Sequence, residues 1–289
     1  MNNILVTGSN GQLGNELRVK SEELRISDKF YFTNRNTLDI TDFEKVKKFC
    51  KENKITHIIN CAAYTAVDKA EDEKEQANLI NHIAVKNLAQ ISKKLNISLI
   101  HISTDYVFDG TNHIPYKEYD KVSPNGVYGQ TKLDGEKAMK EINPKNSIII
   151  RTSWVYSSFG SNFVKTMLNL SKKLDKLGVI YDQVGTPTYA KDLAKTILNI
   201  LPQIKTNDVE TYHYSNEGVI SWYDFAKAVF EINNIDIEVN PIETKDYPTI
   251  AIRPNYSVLN KSKIKDEFSI IIPYWKDSLK ECLKEISEK

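Results

Sequence analysis

NNILVTGSNGQLG, residues 2–14, is the stretch that decides the fold of this chain. An apolar strand runs directly into three glycines, and a helical pattern begins around Leu13 and Leu17. Glycines at this spacing permit a tight turn, close approach of the backbone to a pyrophosphate, and close packing of a helix on a strand. The phosphates then meet free N–H groups at the helix N-terminus. The stretch predicts a dinucleotide site formed by Gly8, Asn10, Gly11, Gln12, Leu13 and Gly14. The alternative is an ordinary glycine-rich turn, since the spacing is G-x-x-G-x-x-G and not the commoner G-x-G-x-x-G.

The first half of the chain alternates apolar strands with helical patterns. Strands are predicted at 3–7, 29–33, 55–61, 97–103 and 147–153, and helices at 11–20, 41–53, 72–95 and 128–142. Such alternation produces a parallel, doubly wound α/β sheet of the Rossmann type, whose ligands bind outside the carboxyl ends of the strands. The residues at those ends are Gly8, Asn34, Arg35, Ala62, Ala63, Thr104 and Thr152.

The alternation loosens after about residue 155. Helices are predicted at 161–174, 189–201, 221–233 and 276–286, with irregular segments around several prolines between them. We therefore expect residues 1–155 to form a dinucleotide-binding domain, with a return segment near 186–201. Residues 156–289 are expected to form mainly a smaller C-terminal α/β lobe that binds the substrate.

Composition narrows the class of protein. The 289 residues carry 39 Lys plus Arg against 38 Asp plus Glu, and a net charge of +1 gives no indication of a nucleic-acid or membrane partner. The three scattered cysteines predict neither a disulfide framework nor a zinc site. No apolar run approaches the length of a membrane span. We expect a soluble, cytoplasmic protein.

Tyr128 and Lys132 form the most informative pair of side chains. They are four residues apart in a predicted helix, so they share one face. A free tyrosine titrates near pH ~10, and a neighbouring ammonium is expected to lower its pKa, which suits acid–base work on an alcohol or ketone. The hydroxyl of Thr104 would then orient the substrate oxygen. The alternative is a solvated pair on an exposed helix.

The end of the second strand indicates which nicotinamide cofactor is used. A basic residue there accepts the 2′-phosphate of NADP, whereas an acid binds the ribose of NAD. Arg35 follows this strand with no acid until Asp39, which favours NADPH and leaves NADH possible. Asp39 and Ile40 are expected at the adenine pocket, and the alternative for Asp39 is a helix-start signal.

Several blocks of sequence resemble the dTDP-4-dehydrorhamnose reductase family of the extended short-chain dehydrogenase/reductase superfamily. The resemblance runs almost end to end. The blocks are NCAAYTAVDKAE (60–71), STDYVFDG (103–110), VYGQTK (127–132), RTSWVY (151–156), NF (162–163), DQVGTPT (182–188) and RP (253–254).

This resemblance implies an enzyme that reduces the C4 keto group of dTDP-4-dehydro-L-rhamnose to dTDP-L-rhamnose, the last step in making that sugar nucleotide for cell-surface polysaccharide. Tyr128 would donate the proton, Lys132 would hold the nicotinamide ribose, and Thr104 would bind the reacting oxygen. The protein would be a monomer or homodimer.

The resemblance also implies roles for residues around these three. Ala62, Ala63 and Thr65 would line the cofactor channel, and Asn81 would support the site. Asp105, Trp154 and Arg253 would contact the substrate, with Arg253 on its diphosphate. Each has an alternative: Trp154 as core, Asn81 at a backbone kink, Arg253 paired to a surface carboxylate. For Asp68 and Glu71 the alternative is that they are acids in the first turn of a helix.

One departure concerns a metal. Some family members bind magnesium through carboxylates at a dimer interface, and Glu16 matches one such ligand. Lys191 stands where another acid is expected, and a lysine beside a hard cation is unfavourable. We therefore predict no metal at this position.

Two alternative functions remain open at this point. One is another nucleotide-sugar epimerase, reductase or dehydratase of the superfamily, although an epimerase favours an acid in place of Arg35 and a dehydratase usually adds an acid pair beside Thr104. The other is a non-catalytic regulatory subunit resembling that of methionine adenosyltransferase.

Overall fold

A computed structural model describes residues 1–288. The elements of the first half are β1 (Asn3–Thr7), α1 (Gln12–Glu23), β2 (Lys29–Phe32), α2 (Phe43–Glu52), β3 (His57–Asn60), α3 (Val67–Ala70), α4 (Lys74–Asn78), α5 (Ala84–Leu95), β4 (Ser98–Thr104), α6 (Val127–Ile142) and β5 (Ile148–Thr152). Those of the second half are β6 (Val155–Tyr156), α7 (Phe163–Leu170), β7 (Lys176–Ile180), β8 (Val184–Gly185), β9 (Thr188–Tyr189), α8 (Ala190–Ile200), β10 (Glu210–His213), β11 (Ile220–Ser221), α9 (Trp222–Ile232), β12 (Glu238–Ile242), α10 (Ser262–Phe268) and α11 (Trp275–Ser287).

Six parallel strands form the central sheet in the order β10-β5-β4-β3-β1-β2. The predicted doubly wound fold is confirmed, and its five predicted strands lie within two residues of the observed ones. The register pairs Thr7 with Asn60 and Thr104 with Thr152, so the carboxyl ends of four strands meet at one edge.

The two faces of the sheet are covered by different helices. On β1, Ile4 and Val6 face one hydrophobic core while Leu5 faces the other, because side chains alternate along a strand. The first core is closed by α1 and α8, and the second contains Val85 and Leu88 of α5. Both faces are therefore apolar, as a buried parallel sheet requires.

The sixth strand, β10, is absent from the sequence-based prediction. It is only four residues long and reads ETYH, with no apolar run to mark it. It pairs with β5 from Glu210↔Ile148 to His213↔Arg151. Ile264 and Phe268 of α10 also belong to the core that contains Ile4 and Val6 of β1. The chain therefore returns to the domain of the central sheet after forming part of the C-terminal lobe.

The C-terminal lobe has a separate apolar core. It gathers α7, α9 and α11 against a parallel pair formed by β7 and β12, with Phe225, Trp275 and Leu279 buried at its centre. The helix predicted at 161–174 is shorter and runs from Phe163 to Leu170; it begins at Phe163 because Asn162 caps it by accepting from the N–H of Lys165.

The helix predicted at 72–95 is confirmed from Lys74 to Leu95, but it is not α-helical throughout. A π-helical turn over Leu79–Ile83 separates α4 from α5. Such turns are frequent at functional sites because they insert one residue and re-aim its neighbours. Within residues 1–288, no helix is both long enough and apolar enough to cross a membrane.

Candidate active site

A cleft of about 870 Å³ opens along the carboxyl edge of the sheet. It brings together most of the predicted site residues: Gly8, Asn10, Gly11, Gln12, Leu13, Arg35, Asp39, Ile40, Ala62, Ala63, Thr65, Thr104, Asp105, Tyr128, Lys132 and Trp154. Gly14, Asn81 and Arg253 lie outside its lining.

The glycine loop has the geometry of a phosphate cradle. Gly8 has a φ of +63°, and a Cβ there would lie 2.6 Å from the backbone nitrogen of Ala62. A Cβ on Gly14 would lie 2.5 Å from the Cα of Ser9, so this glycine permits α1 to pack against the loop. Helix α1 has Gly11 as its N-cap, with no side-chain cap and no acid in its first turn. Its first N–H groups are therefore available to an anion, and the cleft fits a dinucleotide.

The far end of the cleft, at the end of β2, is more exposed. The Arg35 side chain is 77% exposed, and its Nε lies 3.7 Å from Oδ2 of Asp39. Asp39 Oδ1 accepts from the N–H of Thr41 at 2.9 Å and from its hydroxyl at 2.8 Å. Ile40 is buried beside them. The Asp39 carboxylate thus stabilises its own turn, while the guanidinium of Arg35 remains open to a phosphate.

Thr104 and Asp105 form a buried pair at the end of β4. The Thr104 hydroxyl donates to Asp105 Oδ1 at 2.9 Å and accepts from the N–H of Tyr106 at 3.2 Å. Burial raises the pKa of Asp105 to about 7, although the hydrogen bond from Thr104 opposes the rise. Oδ2 of Asp105 has no hydrogen-bond partner among the described residues. This oxygen is buried, and the Ser257 side chain also lowers the pKa of the Asp105 carboxyl.

Tyr128 departs from the expectation of an acidic phenol. Burial raises its pKa to about 12; Thr104 lowers it, and the charge of Asp105 raises it further. The ring packs edge-on against Tyr106, with centroids 5.4 Å apart. The prediction that the ammonium of Lys132 depresses this pKa is wrong for the protein alone. The phenol stays protonated across neutral pH, which is the form a proton donor requires.

Lys132 explains why the prediction fails. Its side chain is buried, and Nζ donates to the carbonyl of Ile102 at 2.6 Å and lies 3.4 Å from Nε2 of His101. Both contacts are on β4 and neither involves the phenol. Burial lowers the pKa of Lys132 to about 8, while Glu136 and Cys61 raise it. The lysine is therefore charged at neutral pH but close to its titration range.

Trp154 and Arg253 occupy different surroundings. Trp154 has a φ of +48° and stacks on Trp222, with ring centroids 3.5 Å apart. It is half-buried and lines the cleft, so it is not simply a core residue. Arg253 instead pairs with Asp68 at 2.5 Å, as its alternative interpretation stated, and its NH1 has no hydrogen-bond partner within residues 1–288. Asp68 Oδ1 also accepts from the N–H of Ala251 at 3.0 Å.

Asn81 lies in the π-helical turn, outside the cleft lining, and its hydrogen bonds hold two segments of the site together. Its amide exchanges hydrogen bonds with the backbone of Tyr64, at 2.8 Å and 3.0 Å, and donates to the Thr131 hydroxyl at 3.2 Å. It therefore connects the segment after β3 to α6, the helix that carries Tyr128 and Lys132.

Glu71 makes a contact next to the site that the sequence interpretation missed. It does not lie in a first turn but follows α3 as its C-cap. Its Oε1 accepts from the N–H of Val127 at 2.8 Å, one residue before Tyr128. Helix α6 has no cap from its own N-cap residue, Gly126, so Glu71 supplies that cap from another element. Only the block around Asp68 offered a signal, and spacing alone does not show this contact.

Gly160 and Ser161 also line the cleft and come from the C-terminal half of the chain. Asn162 Nδ2 donates to Gln12 Oε1 at 2.9 Å, which fixes this loop against the glycine loop. The loop carries no dinucleotide motif, so its place beside the glycine loop follows from the tertiary fold alone.

The residues considered for magnesium are engaged with other side chains. Glu16 is buried and accepts from the Ser157 hydroxyl at 2.5 Å. Lys191 Nζ contacts Glu285 at 2.6 Å and Glu281 at 2.9 Å. Across residues 1–288 there is no group of three or more His, Cys, Asp or Glu side chains arranged to hold a metal ion.

Comparisons of this chain with a family model and with individual known proteins point to the same family. The family model described as the RmlD substrate binding domain matches residues 1–288. The dTDP-4-dehydrorhamnose reductase of Aggregatibacter actinomycetemcomitans is 41% identical over 293 residues, covering 97% of this chain and 98% of that protein.

Two solved structures are also similar. A dTDP-4-dehydrorhamnose reductase from Clostridium acetobutylicum has a TM-score of 0.94 and 43% identity, covering 99% of both chains. One from Bacillus anthracis, in complex with NADP, has a TM-score of 0.92 and 36% identity, covering 99% of this chain and all of that one.

Proposed function

The chain belongs to the RmlD substrate binding domain family, and from this membership we propose that it is a dTDP-4-dehydrorhamnose reductase. It uses NADPH to reduce the C4 keto group of dTDP-4-dehydro-L-rhamnose, giving dTDP-L-rhamnose. The observation that carries the proposal is that Tyr128, Thr104 and Lys132 line the same cleft as the glycine loop of β1 and α1.

When bound, NADPH supplies the hydride. The first-turn N–H groups of α1 hold its pyrophosphate, with Gly8 and Gly11 allowing the backbone to approach. Arg35 binds the 2′-phosphate through its open guanidinium, and Ile40 packs at the adenine. Lys132 holds the nicotinamide ribose with the proton that its two β4 contacts leave free, since an ammonium has three donors.

Tyr128 holds the proton that the C4 oxygen receives. Its raised pKa keeps the phenol neutral until the substrate is bound, so proton transfer depends on positioning. The Thr104 hydroxyl orients the same oxygen and can exchange its bond to Asp105 for one to the substrate. We assign Asp105, beside Thr104, to a sugar hydroxyl.

Two further residues are proposed to bind the substrate. Trp154, fixed by its stack on Trp222, gives a flat apolar wall for the sugar or the thymine. Arg253 lies just outside the cleft lining, paired with Asp68 and beside the Tyr106 side chain that lines the cleft, and we assign its guanidinium to the diphosphate. These roles assign cofactor binding to residues before 156, and they assign substrate binding to both halves of the chain, with Thr104, Asp105 and Trp154 in the first half and Arg253 in the second.

The setting of the enzyme is proposed from its chemistry. NADPH and nucleotide sugars are cytoplasmic metabolites, so we place the reaction in the cytoplasm, with a dTDP-sugar as the partner. We expect a monomer or homodimer with no nucleic-acid partner, in keeping with the net charge of +1.

The direct test is NADPH oxidation, followed at about 340 nm, with the 4-keto sugar nucleotide as substrate. Turnover to dTDP-L-rhamnose is expected. Tightly bound NAD that copurifies with the protein, without turnover, would instead select an epimerase. The relatives named above are reductases and give no support to the epimerase or to the regulatory subunit.

A further inference from the structure

A chain of buried polar side chains runs beneath Lys132. His101 on β4 is fully buried, and its Nε2 lies 3.4 Å from Lys132 Nζ. Its other ring nitrogen, Nδ1, lies 3.0 Å from Nδ2 of Asn60, at the end of β3. Asn60 Oδ1 in turn accepts from the Thr7 hydroxyl at 2.6 Å, at the end of β1. Three neighbouring strands thus contribute one side chain each to a line that ends on the lysine.

His101 is a neutral imidazole in this position. Burial and then the charge of Lys132 hold its pKa well below the ordinary value. A neutral imidazole has one N–H donor and one bare nitrogen that accepts. If Nδ1 carries the proton, Nε2 can only accept a hydrogen bond from the lysine; if Nδ1 accepts, Nε2 carries the proton and donates.

Two arrangements of the line satisfy Asn60, His101 and Lys132. With the Asn60 Nδ2 group toward His101, Nδ1 accepts, the ring proton is on Nε2, and Nε2 donates to a neutral lysine amine. With the Asn60 amide turned by half a rotation, its oxygen accepts from Nδ1–H and its NH₂ donates to the Thr7 hydroxyl. Nε2 is then bare and accepts from a lysine ammonium. The two ends of the amide are nearly equal in size, so the turn leaves the packing unchanged.

We propose that His101 is a positioning residue for Lys132, and that the Thr7–Asn60–His101 line reverses its hydrogen-bond direction as the lysine gains or loses its proton. The line keeps Lys132 Nζ seated on β4 in both charge states. A buried apolar residue in place of His101 would leave one proton of the ammonium without an acceptor, at a cost that falls on the charged form. The role rests on the proposed function only in that Lys132 binds the cofactor.

Among the ionisable groups around Lys132, only Lys132 itself contacts His101 and changes its charge between about pH 6 and pH 10. The Cys61 thiol, after β3, has its pKa raised to about 12 by burial, and Tyr128 is likewise raised to about 12. Glu136, on the same helix, is paired with Arg151 of β5 at 2.7 Å. Asp105 has its pKa raised to about 7, but its contact is with Thr104 and not with His101.

The first test reads the tautomer of His101 directly. The protein is labelled with ¹⁵N-histidine, and the His101 signals are assigned by their loss in His101→Gln. At about pH 6 the proton is expected on Nδ1, and at about pH 10 on Nε2. The same tautomer at both pH values would overturn the proposal. The control is Lys132→Met, in which the tautomer should no longer change with pH; a change that persists there would equally overturn it.

The second test reads the effect on Lys132 through NADPH binding, with no sugar nucleotide present. In His101→Leu, NADPH affinity at neutral pH should fall roughly ten- to hundredfold, and the midpoint of its decline with rising pH should move down by about one unit. His101→Gln, whose amide oxygen can replace Nε2, should restore most of both values.

The matched control is His213→Leu. His213 is equally buried, on β10, where its Nδ1 lies 3.1 Å from the carbonyl of Tyr116. His213→Leu should leave the pH midpoint of NADPH binding unchanged. If His101 had only a structural role, His101→Leu would leave that midpoint unchanged as well. An unchanged midpoint in His101→Leu would reject the positioning role, whereas wild-type protein that binds NADPH but turns over no 4-keto sugar would reject only the proposed function.

Discussion

The two ends of the cleft differ in how far their polar side chains are buried and hydrogen-bonded. At the reaction end, Thr104, Asp105 and Lys132 are at most 5% exposed and hydrogen-bonded to their neighbours. At the adenosine end, Arg35 is 77% exposed and its nearest carboxylate is 3.7 Å away. A buried, hydrogen-bonded group is fixed and its removal is costly, whereas an exposed charge contributes little until a ligand arrives. The reaction end should therefore control rate and stability, and the adenosine end only cofactor affinity.

The largest effect is expected from Tyr128→Phe at the reaction end. The ring keeps its edge-on packing with Tyr106 but has no proton to give. The kcat should fall by roughly 10²–10⁴-fold with little change in NADPH affinity. Steady-state kinetics and a fluorescence titration of NADPH measure both. Tyr106→Phe is the matched control and should keep most of the activity; an equal loss in both variants would remove Tyr128 from its role.

Asp105→Asn should make the protein more stable, which is the second-largest effect. Burial raises the pKa of Asp105 to about 7, so in the folded state the carboxyl binds its proton more tightly than in the unfolded chain. Its contribution to stability is complete below about pH 4 and is lost as pH rises toward 7. At pH 8 the variant should gain on the order of 2–4 kcal/mol in the free energy of unfolding, and near pH 4 almost nothing. Urea unfolding at both pH values measures this, and an equal gain at both would contradict it.

Arg35→Ala probes the adenosine end. It should weaken NADPH roughly tenfold while leaving NADH and kcat nearly unchanged, because only the 2′-phosphate meets the guanidinium. The ratio of kcat/KM values for the two cofactors is the measurement. Arg25→Ala, on a turn outside the cleft, serves as the charge control. An unchanged ratio in Arg35→Ala would show that the exposed end does not select the cofactor.

Glu71→Ala should have a smaller effect, transmitted to the reaction end through a helix. Loss of the cap on Val127 should cost about 1 kcal/mol in the free energy of unfolding and lower kcat severalfold, since Tyr128 is the next residue. Glu75→Ala, on the exposed side of α4, is the matched control and should change neither value. A loss of stability with unchanged kcat would show that the cap does not position the phenol.

The smallest effect is expected from removal of magnesium. Lys191 already supplies a positive charge to Glu281 and Glu285, and a divalent ion beside it would be repelled. Activity in EDTA should equal that in magnesium. A fall that added magnesium reverses would contradict this expectation.

The sequence predicts those features of the fold and the cleft that local patterns encode. The glycine loop and five of the six strands follow from apolar runs, and the predicted strand ends place Thr104 at the same edge of the sheet as Gly8. The pKa of Tyr128 does not follow, because it depends on where the ammonium of Lys132 points, and β4 holds that ammonium.

Long-range pairings form the other group of missed features. Glu71 reaches Val127 across 56 residues, and Asp68 reaches Arg253 across 185. The sequence around each of these residues does not indicate its partner. Strand β10 is also hard to predict, because it has only four residues and they are mostly polar. These features depend on tertiary packing rather than on periodicity.

The position of β10 in the sheet has a consequence for how the chain becomes a protein. The edge beside β5 is covered only when Glu210–His213 arrives, and Phe268 then closes the core below it. A fragment that ends after β5 would expose a bare strand edge, to which other copies can add. We therefore expect the central sheet to be completed only after residues 210–213 have been synthesised, and a fragment that ends after β5 to self-associate when it is expressed alone.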